Sequence, residues 1–395
     1  MVNPNPMLAR YIEHFGEQPT VCVRAPGRVN LIGEHVDYNS GVVMPIAIDQ
    51  ATYAVAGRSD ESIVRIFSEF ADTEVQINLD EPGPPLDGWG AYAQGVIAGL
   101  QECGIHLRGV RILLGGDLPA GAGLSSSAAL EAAIALAMLH LSDATLPREE
   151  IAELCRTAER DFAGVPCGIM DPWACLMSRE GQVMLLDCRE DDEAAQFIRW
   201  PDGDTAVLII DSRSPHRLSA GTYSERVSEC ELALKKISDC CLDENGMFVR
   251  TFRDVSMACL DRAAVHMDRA LYRRARHVVS EIARVIEAAE ALRAADFETF
   301  GRLMNDSHRS LSLDYGVSSP RMDELATIVR GVPGVWGARM TGGGMGGCVV
   351  ALAPAAACPL VESVVRSAYD RKYGVTARVW NVQPREGAAV MPTGS

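Results

Sequence analysis

The element order legible in this 395-residue sequence predicts an α+β protein of two domains. Three observations predict it: a β-rich opening, a helical middle, and a close of strand, glycine loop, strand, helix and strand. Length agrees, because a single hydrophobic core stops growing well before this size. The chain divides into residues 1–200 and 201–395, with a soft boundary.

From Thr20 to Phe67 the sequence reads as strands and turns: Val21-Cys-Val-Arg24, Val42 to Ile48 and Ile63 to Phe67, separated by Gly, Asn and Asp. A helix follows from Trp89 through Leu100, then a strand from Val110 to Leu114. An Ala/Leu-rich helix spans Ser126 to Leu141, and another Arg148 to Phe162. Short apolar strands at Gln182 to Asp187 and Ala206 to Asp211 flank a charged stretch, Arg189 to Ala194, near the domain junction. The second half is helical from Tyr223 to Ile237, Asp268 to Leu292 and Asp296 to Leu311, and Ser319-Pro320 opens a further helix. It closes with Val335 to Met340, the loop Thr341 to Gly347, Cys348 to Leu352, a helix over Leu360 to Arg371, and Ala377 to Val382. No internal repeat interrupts this order.

Composition narrows the function classes. A formal charge of -16, with 48% hydrophobic and 23% charged residues, describes a soluble protein whose field repels nucleic acid and anionic membrane. No apolar run is long enough to span a bilayer, and Met1 to Gln18 is too polar for a signal peptide, so a cytoplasmic location is expected. The twelve cysteines are scattered without a Cys-x-x-Cys pair. Cys22, Cys103, Cys167, Cys188 and Cys348 sit among apolar residues, which predicts reduced and mostly buried thiols.

Chemistry concentrates in two segments. Leu118-Pro-Ala-Gly-Ala-Gly-Leu-Ser-Ser-Ser-Ala-Ala-Leu130 joins a strand to a helix, the order that phosphate binding requires. Gly121 and Gly123 let the backbone approach an anion, and the free N–H groups of the helix start point to the same place. Ser125, Ser126 and Ser127 can cap the helix and offer hydroxyls to phosphate or Mg²⁺. The segment lacks the Gly-x-x-x-x-Gly-Lys-Ser/Thr of a P-loop. Gly342, Gly344 and Gly347 satisfy a dinucleotide spacing but precede a strand, not a helix, so a Rossmann site is excluded.

The other segment, Arg24-Ala-Pro-Gly-Arg-Val-Asn-Leu-Ile-Gly-Glu-His-Val-Asp-Tyr-Asn-Ser-Gly41, gathers Arg28, Glu34, His35 and Asp37 in what reads as a punctuated loop. Metal ligands, a solvated turn, or a hydrogen-bonding set for a polyhydroxylated ligand all fit these residue types. A metal site is the poorest of the three, because adjacent residues cannot all aim at one ion.

These segments, together with Val335-Trp-Gly-Ala-Arg-Met-Thr-Gly-Gly-Gly-Met-Gly-Gly-Cys348, resemble the three ordered signature motifs of the GHMP kinases. Gly27 to Tyr38 resembles the signature of the galactokinase family within them. The likeness continues at Trp89-Gly-Ala-Tyr92, Pro166-Cys-Gly-Ile-Met-Asp171, Asp187-Cys-Arg189 and Asp314-Tyr-Gly-Val-Ser-Ser-Pro320, so it covers nearly the whole chain.

That resemblance implies an N-terminal ribosomal-protein-S5-like domain and a C-terminal ferredoxin-like domain with the active site between them. It implies ATP and Mg²⁺ as cofactors, and phosphorylation of the anomeric hydroxyl of galactose. By the same resemblance Asp171 is the base, with Arg28 beside it, and Ser127 and Glu159 take Mg²⁺. Glu34, His35, Asp37, Gly168 and Tyr223 match sugar contacts, and Trp89 and Tyr92 the wall near adenine. The glycines from Gly342 to Gly347 match a supporting loop from the second domain. The implied partners are a small sugar and ATP, with neither nucleic acid nor membrane, in a monomer or weak homodimer. A loose phosphoryl-transfer transition state needs positioning and charge neutralisation more than a strong base, which suits an arginine-carboxylate pair.

Two positions depart from the pattern: Pro172 stands where the family has Gln, and Met345 where it has Phe. A kinase for N-acetylgalactosamine, galacturonate or another hexose is the nearest alternative. A non-catalytic sugar and ATP sensor is the rival from another class, against which stands the complete run Ser125 to Ala129.

Overall fold

The computed structural model describes residues 5–81, 83–189, 194–201, 203–214, 219–242 and 246–392. Helix α1 (Asn5–Phe15) leads into β1 (Val21–Asn30), β2 (Val42–Val43), β3 (Pro45–Arg58), β4 (Ile63–Ser68) and β5 (Thr73–Asn78). Then come α2 (Trp89–Glu102), β6 (Val110–Gly116), α3 (Ser126–Leu141), α4 (Arg148–Asp161), α5 (Met170–Met177), β7 (Gln182–Asp187) and β8 (Ala194–Arg199). The second half runs β9 (Thr205–Asp211), α6 (Ser219–Ser238), α7 (Met257–Ala263), α8 (Arg269–Arg293), α9 (Phe297–Ser310), α10 (Pro320–Arg330), β10 (Gly337–Thr341), β11 (Cys348–Pro354), α11 (Cys358–Val364), β12 (Arg378–Val382) and β13 (Ala389–Met391).

Helix α3 organises the first half. Apolar on every side, it buries thirteen of its sixteen residues, as an all-round hydrophobic helix must. It packs on β1 and β3 of a six-stranded sheet ordered β13-β1-β3-β6-β4-β5, with α2, α4 and α5 around it. Strands β2, β7 and β8 form a second small sheet. In the second half a four-stranded antiparallel sheet has the order β10-β11-β9-β12. This is the βαββαβ arrangement of a ferredoxin-like unit, its first αβ connection enlarged by α6 to α10. The α+β expectation holds.

Several elements differ from the sequence reading. The segment from Arg24 is not all loop: Arg24 to Asn30 complete β1, whose register with β3 shifts between Pro26 and Arg28. Proline cannot donate to the ladder there, so the strand bulges and resumes. The hairpin partner β5 is an exposed edge strand, Thr-Glu-Val-Gln-Ile-Asn, too polar to stand out as apolar alternation. Strand β8 begins at Ala194, where the charged stretch was expected to end, and pairs with β7; residues 190–193 of that stretch lie outside the described residues. The helix expected over Leu360 to Arg371 is α11 continued by a π-turn, Val365–Asp370. Strand β13 returns from the far end of the chain to pair with β1. Every cysteine is free; Cys22, Cys188 and Cys348 are buried as expected, but Cys103 is exposed at the end of α2.

Candidate active site

Three backbone devices converge on one cleft. Strand β1 resumes after its bulge and delivers Arg28, α5 opens with Asp171 in its first turn, and the glycine loop before α3 touches both through Gly123 and Ser125. The Arg28 guanidinium donates through Nε and Nη2 to the two oxygens of Asp171, at 2.8 and 2.9 Å, and through Nη1 to the Gly123 carbonyl at 2.7 Å. One buried arginine thus binds the carboxylate in a bidentate fork and ties it to the glycine loop. Pro172 occupies the first turn of α5, where an N–H has no intrahelical acceptor, so the missing donor costs this helix nothing.

The serines behave differently from simple caps. Ser125 stands at the helix start in the left-handed region, φ 58°, and makes no side-chain cap. Its hydroxyl instead donates to Asp171. Ser127 donates to the Glu159 carboxylate at 2.9 Å. Glu159, which its sequence neighbours suggest is a solvated helix residue, is buried. Burial first, then the Asp171 charge, pushes its carboxyl up to about 7. A hydroxyl and a carboxylate at this spacing fit Mg²⁺, which takes few protein ligands and keeps room for phosphate oxygens. A cation here would also reverse the penalty that burial and Asp171 impose on Glu159.

The cleft has a volume of about 540 Å³ and is lined by Arg28, Glu34, His35, Asp37, Glu159, Gly168 and Asp171 from the first half, and by Tyr223, Gly342 and Gly343 from the second. Asp37 packs so closely on Gly168 that a Cβ there would lie 2.0 Å from Asp37 Oδ2. Burial, then Asp171, raises the Asp37 carboxyl to about 7. His35 has φ 63° and bonds Tyr38 through Nδ1 at 2.9 Å. Burial, then His277, Arg339 and Arg226, lowers its pKa to about 3, so the ring is neutral. Tyr223 on α6 closes the wall, its ring 5.6 Å from His35 and 5.0 Å from Tyr38.

A neighbouring cavity of about 730 Å³ is lined by Thr52, Ser68, Phe70, Ala71, Trp89, Tyr92, Leu118, Ala120, Ser126, Ser127 and Leu130. It is chiefly apolar and aromatic, the character of a slot for a planar ring. Trp89 and Tyr92 are half-buried and on its wall, not in the core. Gly121 and Gly123, at φ 69° and 76°, shape the loop beside it. Ser127 belongs to this cavity, and its partner Glu159 to the cleft, so the 2.9 Å bond between them marks where the two spaces meet.

Most of the residues singled out in the sequence line one of two adjoining spaces, Gly123 and Ser125 bond Arg28 and Asp171 in the cleft wall, Gly121 lines neither space, and the structure adds others. Asn30 donates to Glu34, Tyr315 backs Tyr38 at 2.7 Å, and Phe70, Ser68 and Thr52 complete the apolar cavity. Glu131 is fully buried on α3, one turn below Ser127, and neither carboxyl oxygen has a hydrogen-bond partner among the described residues. Burial, then Glu159 and Asp171, raises its pKa well above the carboxylate range, so it is neutral. As the one acidic residue in an Ala/Leu-rich helix, it carried a signal in the sequence. The tyrosines and phenylalanine carried no such signal.

Comparison with known proteins agrees with this geometry. The galactokinase galactose-binding signature matches residues 9–58, the GHMP kinases N terminal domain residues 91–179 and the GHMP kinases C terminal domain residues 288–371. A galactokinase of Roseiflexus sp. (strain RS-1) is 39% identical over 98% of this chain and 97% of its own. The Homo sapiens galactokinase is 38% identical over 96% and 94%. The crystal structure of Lactococcus lactis galactokinase complexed with galactose superposes with a TM-score of 0.91 at 31% identity, covering 98% of this chain and 99% of that one. A mevalonate kinase, at 19% identity and a TM-score of 0.63 over 92% and 99%, shares the fold. With a signature of its own, relatives matching end to end and the two-domain architecture in common, this chain belongs to the galactokinase family of the GHMP kinases.

Proposed function

We propose that the protein is an ATP-dependent sugar kinase that transfers the γ-phosphate to the C1 hydroxyl of galactose, giving galactose 1-phosphate and ADP. The observation that carries this reading is the junction of a polar cleft, with an arginine-carboxylate pair in its wall, and an apolar slot beside a glycine loop. In this reading Trp89 and Tyr92 flank the adenine, and the backbone around Gly121, Gly123 and the start of α3 cradles the phosphates. Ser127 and Glu159 hold Mg²⁺, which when bound neutralises charge on the phosphate oxygens. Glu34, His35, Asp37 and Tyr223 read the sugar hydroxyls, with Gly168 leaving room for Asp37. Asp171 accepts the C1 hydroxyl proton as the O–P bond forms, and Arg28 orients Asp171 while its positive charge stabilises the transferring phosphoryl group.

The test is ADP release in a coupled assay with galactose, N-acetylgalactosamine, galacturonate and other free hexoses. Galactose gives the highest kcat/KM. A higher value for another sugar would reassign the substrate. Sugar binding by calorimetry without ADP release would make the protein a sensor and overturn the kinase assignment.

A further inference from the structure

The second domain reaches the cleft through a set of contacts that the reaction as described does not use. Arg339 and Thr341, at the end of β10, point into the first domain, and Arg339 is completely buried. Thr341 Oγ1 donates to Glu34 Oε1 at 2.8 Å, and the Gly342 N–H donates to the same oxygen at 2.6 Å. On the other oxygen, Oε2, the Asn30 amide donates and the Arg339 guanidinium stands 3.3 Å away, while Arg339 Nη1 holds the Asn30 carbonyl at 3.0 Å. Even the Glu34 backbone is gripped from the second half, by His277 Nε2 at 3.1 Å from its carbonyl.

Gly342 continues the chain of contacts. Its φ is +84°, and a Cβ on it would lie 2.8 Å from the Gly123 carbonyl oxygen and 2.9 Å from Gly123 Cα, so the two glycine loops touch backbone to backbone. The Gly123 carbonyl is the one that Arg28 holds. A continuous path therefore runs from Glu34, in the wall of the polar cleft, through Gly342 and Gly123 to the Arg28–Asp171 pair. A carboxylate has about four lone-pair directions. Thr341, Gly342 and Asn30 already take three of them, so a sugar hydroxyl at Glu34 adds the last partner to a carboxylate that the second-domain loop holds, and sugar occupancy bears directly on how that loop braces the phosphate loop.

We propose that Thr341, backed by Arg339, is a positioning residue that couples the two sites, so that sugar in the cleft tightens nucleotide binding and nucleotide tightens sugar binding. The inference rests on the reading of the cleft as a sugar site and the slot as a nucleotide site. Reciprocity is a thermodynamic requirement: whatever factor galactose applies to nucleotide affinity, nucleotide applies to galactose.

The experiment is isothermal titration calorimetry of a non-hydrolysable ATP analogue with Mg²⁺, with and without saturating galactose, on the parent protein, Thr341→Val and Thr341→Ser. In the parent, galactose tightens the analogue by about fivefold or more, the lower end of typical coupling. Thr341→Val keeps the shape, removes the hydroxyl and brings the ratio close to one; Thr341→Ser restores it. Thermal unfolding of each variant separates this from general destabilisation, and Thr341→Ala carries the same test if the valine variant does not fold. A parental ratio kept intact in Thr341→Val overturns the proposal, as does a parent that binds both ligands without mutual effect. Failure of the parent to bind galactose at all overturns instead the sugar-site reading on which the proposal stands.

Discussion

The two adjoining spaces are built on opposite principles. The cleft is lined by Arg28, Glu34, His35, Asp37, Glu159 and Asp171 and takes walls from both halves of the chain, whereas the slot is lined by apolar, aromatic and hydroxyl side chains between Thr52 and Leu130 of the first half alone. Charge in the cleft is costly: burial raises Asp37 and Glu159 to about 7 and lowers His35 to about 3. Backbone strain is present there too, because His35, which lines the cleft, and Ser125, bonded to Asp171, hold positive φ without being glycine, at a cost of roughly 1–3 kcal/mol each. Among the described residues, no charged side chain lines the slot. A buried hydrogen-bonding set discriminates sharply and fails abruptly when one member is lost, while an apolar slot spreads its affinity over many weak contacts.

The largest expected effect is therefore in the cleft. Asp171→Ala removes the group placed to accept the hydroxyl proton and leaves Arg28 without its fork partner. Turnover falls by roughly 10³-fold, within the range for loss of a positioned general base, while nucleotide affinity stays close to that of the parent. Single-turnover ADP formation and analogue binding measure the two separately. Equal losses in both would mean that Asp171 serves the nucleotide, and the contrast between the two spaces would collapse.

A smaller effect follows from Asp37. Its carboxyl titrates at about 7 in the ligand-free fold against an ordinary value of 3.8. The ionised form is the better acceptor for a sugar hydroxyl, so sugar affinity improves as pH rises through 7, by about tenfold between pH 6 and pH 8 for one group titrating at this midpoint. The effect on stability has the opposite sense. Below about pH 4 Asp37 is protonated in both folded and unfolded chains and imposes no penalty; between about 4 and 7 only the unfolded chain ionises, and the fold loses stability as pH rises. Asp37→Asn should thus flatten the pH dependence of the sugar KM and gain in thermal midpoint over the parent as pH is raised across that window. A parental KM independent of pH would remove Asp37 from sugar recognition.

How much of this was legible in the sequence differs between the two spaces in the same way. The cleft was legible only in part: the charged residues among Gly and Pro in Arg24 to Gly41 left a metal site, a solvated turn and a sugar-binding set open until the family motifs were added, whereas the strand-loop-helix order of Leu118 to Leu130 has a mechanical meaning of its own. The helices at Ser126, Arg148 and Pro320 were placed to within a residue at their starts, since the glycine-serine run, the amphipathic pattern of α4 and the Ser319 cap fix them locally. What stayed hidden depends on contacts distant in sequence. Thr341 and Arg339 meet Glu34 and Asn30 across some 300 residues, and Phe70 and Ser68 join Trp89 and Tyr92 only through the sheet. The return of β13 to β1, and the bulge that keeps Arg28 on a strand, are likewise tertiary facts. Glu131 stands between the two cases, conspicuous in an apolar helix yet without a role until its neighbours Glu159 and Asp171 are known.

The smallest expected effect sharpens the contrast from the other side. Trp89 is half-buried on the slot wall, and its indole N–H already bonds Thr73 Oγ1 at 3.0 Å, so its ring face and edge are what remain for a nucleotide base. Stacking of aromatic rings is worth about 0.5–1.5 kcal/mol beyond area burial, so stacking alone accounts for a rise of up to about tenfold in nucleotide KM for Trp89→Ala. Because the same contact serves ground state and transition state alike, kcat should hold, the signature of lost uniform binding. Sugar KM should change little by direct contact, since Trp89 touches the slot alone and the two spaces meet at Ser127 and Glu159. Steady-state kinetics with each substrate varied in turn checks all three quantities. A fall in kcat as large as the rise in nucleotide KM would show that the slot positions the phosphates, and that the division of labour between an apolar anchor and a charged reaction chamber is less complete than its lining suggests.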